Sequence, residues 1–352
     1  TYPGWLHAFV MQYQVLPSFF FGFLLTVFPR WMGLPDVPRW RYAPVGAGMF
    51  GGQAAMLLGA LGLEVGLVVG LFMTIAGWSA GTWTLARLVL AERGATWHAR
   101  SCLAAMLLGL AGVLCFGGFL LGGSPWWVLF AVKLGTFGLL LPVYLTVAHR
   151  MFPFFAANAV PGYVAWRPMW VLAAAWALAM AHLVLELLHA HAWLWLVDLP
   201  MLALSLAVLW RWWPRGQAPG LLWVLFVGLL WWPVTFALFS AQSLAYLLTD
   251  AFILGRAPAH ALFIGVFGSL LVAMVSRVTQ GHSGRPLRMY GLAWWAFVGI
   301  QVATVLRVAA EVATDMQLWQ ALAALAWLGA LAPWVARIGR IYLSPRVDGK
   351  PG

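Results

Sequence analysis

Acidic side chains are scarce in this sequence. Nine Asp and Glu occur among 352 residues, and charged residues of both signs reach only 8%. A soluble domain carries about 25% charged residues, so that class is excluded. Cysteine is nearly missing as well. Cys102 and Cys115 stand thirteen residues apart, a spacing that builds neither a disulfide framework nor a zinc site, so they read as buried free thiols. There is no CxxCH heme-attachment motif, Walker loop, GxGxxG turn ahead of a helix or serine-centred nucleophile motif, which leaves the common cofactor and hydrolase signatures unsupported. Long apolar runs without period-two alternation exclude a transmembrane β-barrel. No cleavable signal peptide is visible ahead of the first apolar run, and the sequence starts at Thr1.

What the sequence has in quantity is hydrocarbon. Hydrophobic residues make up 64%, with 24 tryptophans and 22 phenylalanines of the kind that line membrane interfaces. Apolar runs longer than 18 residues each suffice to cross a bilayer as a helix. The expected fold is all-α: a polytopic integral membrane bundle, one membrane domain over 1–352 with about eleven spans. These fall near 8–28, 44–63, 66–91, 102–121, 125–148, 168–189, 193–212, 219–248, 258–280, 287–313 and 316–341. A connector over 150–167, with Pro153, Pro161 and Gly162, is expected along the interface. The net charge of +11 follows from topology and does not call for nucleic acid. Seventeen of the 20 basic residues fall in loops after odd-numbered spans, in the last turns leading to them, or in the tail. By the positive-inside rule the C-terminus is cytoplasmic and Thr1 lies outside.

That topology sorts the eight histidines. His7, His182, His189, His191 and His260 fall on the outer side, and His98, His149 and His282 on the inner side. Ionisable groups inside a membrane are costly and point to function, and histidine is the commonest heme and copper ligand. His182, Glu186 and His189 follow i, i+4 and i+3 spacing on the sixth span, which predicts one shared face. His7 and Met11 share a face of the first span, Arg307 and Glu311 form another i, i+4 pair, and Lys133 lies within the fifth span. This outer polar layer suits a heme, with arginine or lysine pairing its propionates. The bland alternatives are wetted interfacial rings for His189 and His191 and simple charge neutralisation for Arg307 and Glu311.

The ninth span, from Pro258, carries a histidine near each end: His260, and His282 in the turn Gly281-His282-Ser283-Gly284-Arg285-Pro286. His282, His149 and His98 form a candidate inner copper-type site, against the plain reading of a capped helix end. This stretch resembles the signature of the NnrS family, polytopic bacterial membrane proteins associated with heme, copper and the response to nitric oxide. The segments His7-Ala8-Phe9-Val10-Met11 with Gly22-Phe23-Leu24-Leu25-Thr26, Arg150-Met151-Phe152-Pro153-Phe154-Phe155, and Pro345 to Gly352 resemble it too.

The resemblance implies a multi-pass protein of the bacterial inner membrane, usually with twelve helices, one of them ahead of the segment at His7. It implies heme b and allows copper, and His7, Met11 and His260 lie in its motifs. With the outer polar layer read above, the candidate cofactor-binding residues are His7, Met11, His182, Glu186, His260 and Arg307, and the candidate metal ligands are His7, His260, His282 and His149. One departure stands out. The family's His-Ala-His-Glu-Met is here His7-Ala8-Phe9-Val10-Met11, and neither Phe9 nor Val10 can bind a metal or carry a proton. Besides a heme-binding protein of nitric-oxide metabolism, response or tolerance, the residues allow a metal-free accessory subunit of a respiratory or denitrification complex or of an electron carrier. A secondary transporter is the third reading.

Overall fold

The computed structural model describes residues 2–349. It is 80% helical with no strand among the described residues. Eleven helices follow in chain order: α1 (Pro3–Met32), α2 (Arg39–Ala60), α3 (Val65–Ala91), α4 (Trp97–Leu120), α5 (Trp126–Ala159), α6 (Met169–Leu187), α7 (Trp195–Trp212), α8 (Gly220–Thr249), α9 (Ala257–His282), α10 (Gly291–Ala309) and α11 (Met316–Tyr342). All except α2 are long and apolar enough to cross a membrane. The chain is a multi-pass membrane protein, and the bilayer is its first partner.

α2 falls short because Arg39, Arg41, Gln53 and a run of glycines dilute its apolar residues. Those glycines pack it. A Cβ on Gly48 would lie 2.5 Å from the Gly77 backbone, and one on Gly52 would lie 2.9 Å from the Gly70 carbonyl. α2 and α3 therefore run antiparallel with backbones nearly touching, the small-residue packing that joins helices in lipid, where apolar side chains gain little by leaving the solvent.

Two helices depart from the sequence expectation for identifiable reasons. α5 does not stop near Ala148 but continues as a helix to Ala159, through Pro153. Phe152 and Phe155, 2% and 7% exposed, bury this extension, and Phe152 packs edge-on against Phe226. Only about 160–168 is left as connector. α8 is broken at Leu230, where Pro233 has no N–H to give to the preceding turn.

Three spans contain a stretch of wider π-helical winding: Val10–Val15 in α1, Leu134–Leu140 in α5 and Ala261–Gly268 in α9. Such turns are rare and cluster at functional sites. Here each sits beside a residue singled out in the sequence. Met11 lies inside the first, and Lys133 and His260 directly precede the second and third.

The chain divides into two compact units: residues 1–148 with 179–188, and residues 149–178 with 189–352. In the first, Trp78 is fully buried and donates its indole N–H to the Tyr13 carbonyl at 2.7 Å. Interhelical bonds from Gln14 to Thr74 (2.9 Å) and between Ser101 and Thr146 (2.7 Å) satisfy polar groups that lipid cannot. In the second, Trp212 plays the equivalent part, donating to the Trp166 carbonyl at 2.7 Å and accepting the Tyr163 hydroxyl on its own carbonyl at 3.0 Å. Burial pushes the Tyr163 phenol up to about 12. Deeper in this unit, Gln301 accepts from the Trp231 indole and donates to Ser269, both at 2.7 Å.

Candidate functional site

Ionisable side chains gather at one place within each unit. In the first unit, Lys133 Nζ lies 2.8 Å from Glu186 Oε2, and Glu186 Oε1 lies 3.6 Å from His182 Nε2. The side chains of Lys133, Glu186 and His182 are 36%, 6% and 1% exposed. The row thus leads from a partly exposed ammonium to a fully enclosed imidazole. The i, i+4 spacing on α6 puts His182 and Glu186 on one face, and the π turn after Lys133 sets the register of α5 against them. Phe137, inside that turn, lies against the His182 ring, tilted by 31° with 3.9 Å between centroids.

α1 completes this surrounding. Gln12 donates to Thr136 Oγ1 at 3.0 Å, and Tyr13 donates to the Ala131 carbonyl at 2.5 Å. Gly135 has to be glycine, since a Cβ there would stand 2.8 Å from the Tyr13 hydroxyl. A buried carboxylate between an ammonium and an imidazole can hold a negative charge or pass a proton between Glu186 Oε1 and His182 Nε2.

The cluster of the second unit sits where α9 begins. His260 closes the first turn of α9, and its Nδ1 lies 3.0 Å from the Arg256 carbonyl. An Nδ1–H donated to a carbonyl leaves Nε2 unprotonated, the tautomer that metal-binding imidazoles take. Across from it, Arg307 Nη1 pairs with Glu311 Oε1 at 2.6 Å. Burial raises the affinity of Glu311 for a proton. The Arg307 hydrogen bond, the Arg256 backbone N–H and the Arg307 charge outweigh it, holding the carboxyl below its ordinary value. Gly255, at φ +47°, lets the chain pass directly over the Glu311 carboxylate. The Arg307 guanidinium, the Arg256 backbone N–H and the His260 imidazole thus surround one carboxylate.

The remaining candidates are placed as follows. His7 is exposed and Met11 half-buried. Between them Phe9 is 1% exposed and stacks on Phe116 at 3.9 Å, so hydrocarbon packing fills the position where the family motif has its second histidine. His189 does not join His182 and Glu186: α6 ends at Leu187, and His189 takes a left-handed conformation at φ 55° beyond it. His191 packs edge-on against Tyr246 and Phe252. His149 is 2% exposed and its Nε2 lies 3.1 Å from the Pro168 carbonyl, so it ties the connector to α5. His282 is the exposed last residue of α9, and His98 is buried at the start of α4. Among the described residues no group of three or more His, Cys, Asp or Glu side chains comes together as a metal cage.

Sequence reasoning did not single out Gln12, Tyr13 and Thr136. Two buried glutamines flanking a tyrosine inside an apolar span were the signal, since an amide is costly in hydrocarbon. It also left the tail unplaced. Val347 N–H donates to the Ser283 carbonyl at 3.1 Å, so two of the resembling segments pack on each other. The family model described as NnrS protein matches residues 1–346. No curated protein and no solved structure matches the chain.

Proposed function

Since the chain belongs to the NnrS family over residues 1–346, we propose that it is a heme-binding inner-membrane protein of nitric-oxide metabolism, response or tolerance. The observation that carries this reading is the His260 ring, whose Nδ1 is 3.0 Å from the Arg256 carbonyl and whose Nε2 is thereby the basic nitrogen. A bound heme b would supply a redox-active iron able to take a diatomic gas. His260 is the residue proposed to hold the iron. Arg307, now paired with Glu311, is proposed to turn to a heme carboxylate when the group is bound. Glu186 and His182 are proposed to hold and exchange a proton beside the Lys133 ammonium. Copper is left out of the proposal: the donor set does not fit, because no three-ligand group forms among the described residues and Phe9 packs where a ligand would stand.

A second reading is a metal-free subunit of a respiratory or denitrification complex. The packing of Phe9 on Phe116 favours it, as does α11, of which only 22% is buried within the chain. Optical spectra of the detergent-purified protein, oxidised and dithionite-reduced, with metal analysis on the same sample, test the two. The first reading expects a Soret band with b-type peaks that His260→Ala removes. Loss of the band in His7→Ala with its retention in His260→Ala would move the ligand to α1. A protein without heme after purification under heme-replete expression sinks the first reading in favour of the second.

A further inference from the structure

The end of the second unit where α9 and α11 leave the apolar region is rich in arginine and nearly without acid. Thr279 and Tyr342 hydroxyls meet at 3.1 Å, so the two helix ends are neighbours. The Gln280 side chain binds both backbone groups of Arg288, at 2.7 and 2.8 Å, and fixes the turn between α9 and α10. The tail then returns onto that turn through Val347 and Ser283. Its carboxylate, Asp348, is forked by Arg346 at 2.9 and 2.7 Å.

The other arginines here are held by rings. Arg277 lies 4.0 Å over Phe155 and Arg337 lies 4.5 Å over Tyr290. Arg285 has Nη1 buried with no hydrogen-bond partner. Among the described residues none of these three has a carboxylate within salt-bridge reach. A guanidinium stacked on a ring keeps its in-plane N–H groups for an acceptor, and its fork matches two phosphate oxygens. Beside them the surface is apolar: Leu343 is 90%, Tyr342 60%, Val335 54% and Leu287 50% exposed. Charge wanting an anion next to a wall wanting hydrocarbon describes one amphiphile.

We propose that this end of α9, α10 and α11 is a binding site for the phosphodiester headgroup of an anionic phospholipid. Arg285 and Arg337 receive the phosphate, and the exposed face of α11 receives the acyl chains. The site differs from general attraction of basic loops to a negative leaflet in that it depends on particular arginines at the end of the exposed apolar face of α11.

Native mass spectrometry of the full chain in detergent, titrated with phosphatidylglycerol, phosphatidylcholine or inorganic phosphate, tests it. Phosphatidylglycerol should bind in preference to phosphatidylcholine, and the double variant R285Q/R337Q should weaken it about 30-fold, at roughly five-fold per charge. R285K/R337K, which keeps both charges, should lose far less, and this arm separates a binding defect from a folding defect. R211Q/R215Q, which removes two loop arginines elsewhere in the same unit, should leave the preference intact. Equal loss in R211Q/R215Q, or none in R285Q/R337Q, would overturn the proposal in favour of diffuse attraction. Displacement of the lipid by millimolar inorganic phosphate would overturn it in favour of a free-phosphate site.

Discussion

Replacing Lys133 by Met tests whether the row on α5 and α6 is an interacting unit. The substitution leaves Glu186, 6% exposed, without the ammonium 2.8 Å away. Removing one partner of a fully buried pair costs about 3–5 kcal/mol, whereas an exposed pair is worth about 0–1 kcal/mol. Lys133 is 36% exposed, and His182 at 3.6 Å can accept part of the load, so a loss of about 2 kcal/mol is expected between those limits. Glu186→Gln should cost less, about 1 kcal/mol, because the freed lysine can reach the headgroups along its flexible stem. The double variant removes both charges and should cost about 1 kcal/mol, since a neutral replacement of a buried pair is nearly harmless. The double change then falls about 2 kcal/mol short of additivity. Equilibrium unfolding in mixed SDS micelles, run on all four proteins, measures it. Additivity within about 0.5 kcal/mol would refute the coupling.

Three further outcomes follow from the geometry. Glu311 is held below its ordinary 4.5, so the stability it contributes is present above about pH 4.5 and lost as pH falls through its lower folded value. Glu311→Gln should remove that part of the acid slope in a thermal-melt series, and an unchanged slope would contradict the assignment. Tyr163 is raised to about 12 from 10.0. The stability it contributes is complete below pH 10 and is lost as pH rises to about 12, so Tyr163→Phe should flatten the alkaline limb of the same series. Gly284 sits at φ +70°, and a Cβ there would stand 2.7 Å from the Asp348 carboxyl carbon. Gly284→Ala should therefore cost about 1–2 kcal/mol in backbone strain and speed hydrogen exchange at Val347. Unaltered protection there would show that the tail does not rest on this turn.

The helix count and the family were legible because they depend on long apolar runs and on motifs spread along the chain. The i, i+4 pairs were legible for the same local reason: His182 with Glu186 and Arg307 with Glu311 do meet. What was hidden depends on longer range. That Lys133 faces Glu186 depends on how α6 packs against a π turn in α5, which no single-helix periodicity encodes. The helical reach of α5 past Pro153 was hidden too, because proline reads as a stop until Phe152 and Phe155 are seen to be buried. His149 looked like a ligand from its residue type, and only the Pro168 carbonyl 3.1 Å away shows it tying down a connector.

The glycine contact between α2 and α3 bears on how the chain reaches the membrane during synthesis. A translocon sorts segments largely by their hydropathy, and α2, alone among the eleven helices, is not apolar enough on its own. The segment that follows it is apolar over 27 residues and meets it backbone to backbone. The two are therefore expected to form a unit of insertion as well as of packing: α2 enters the bilayer once α3 has emerged to close the hairpin with it. A bulky residue at Gly48, Gly52 or Gly77 should therefore lower the fraction of chains in which α2 enters the bilayer at all, a loss that precedes any effect on the folded protein.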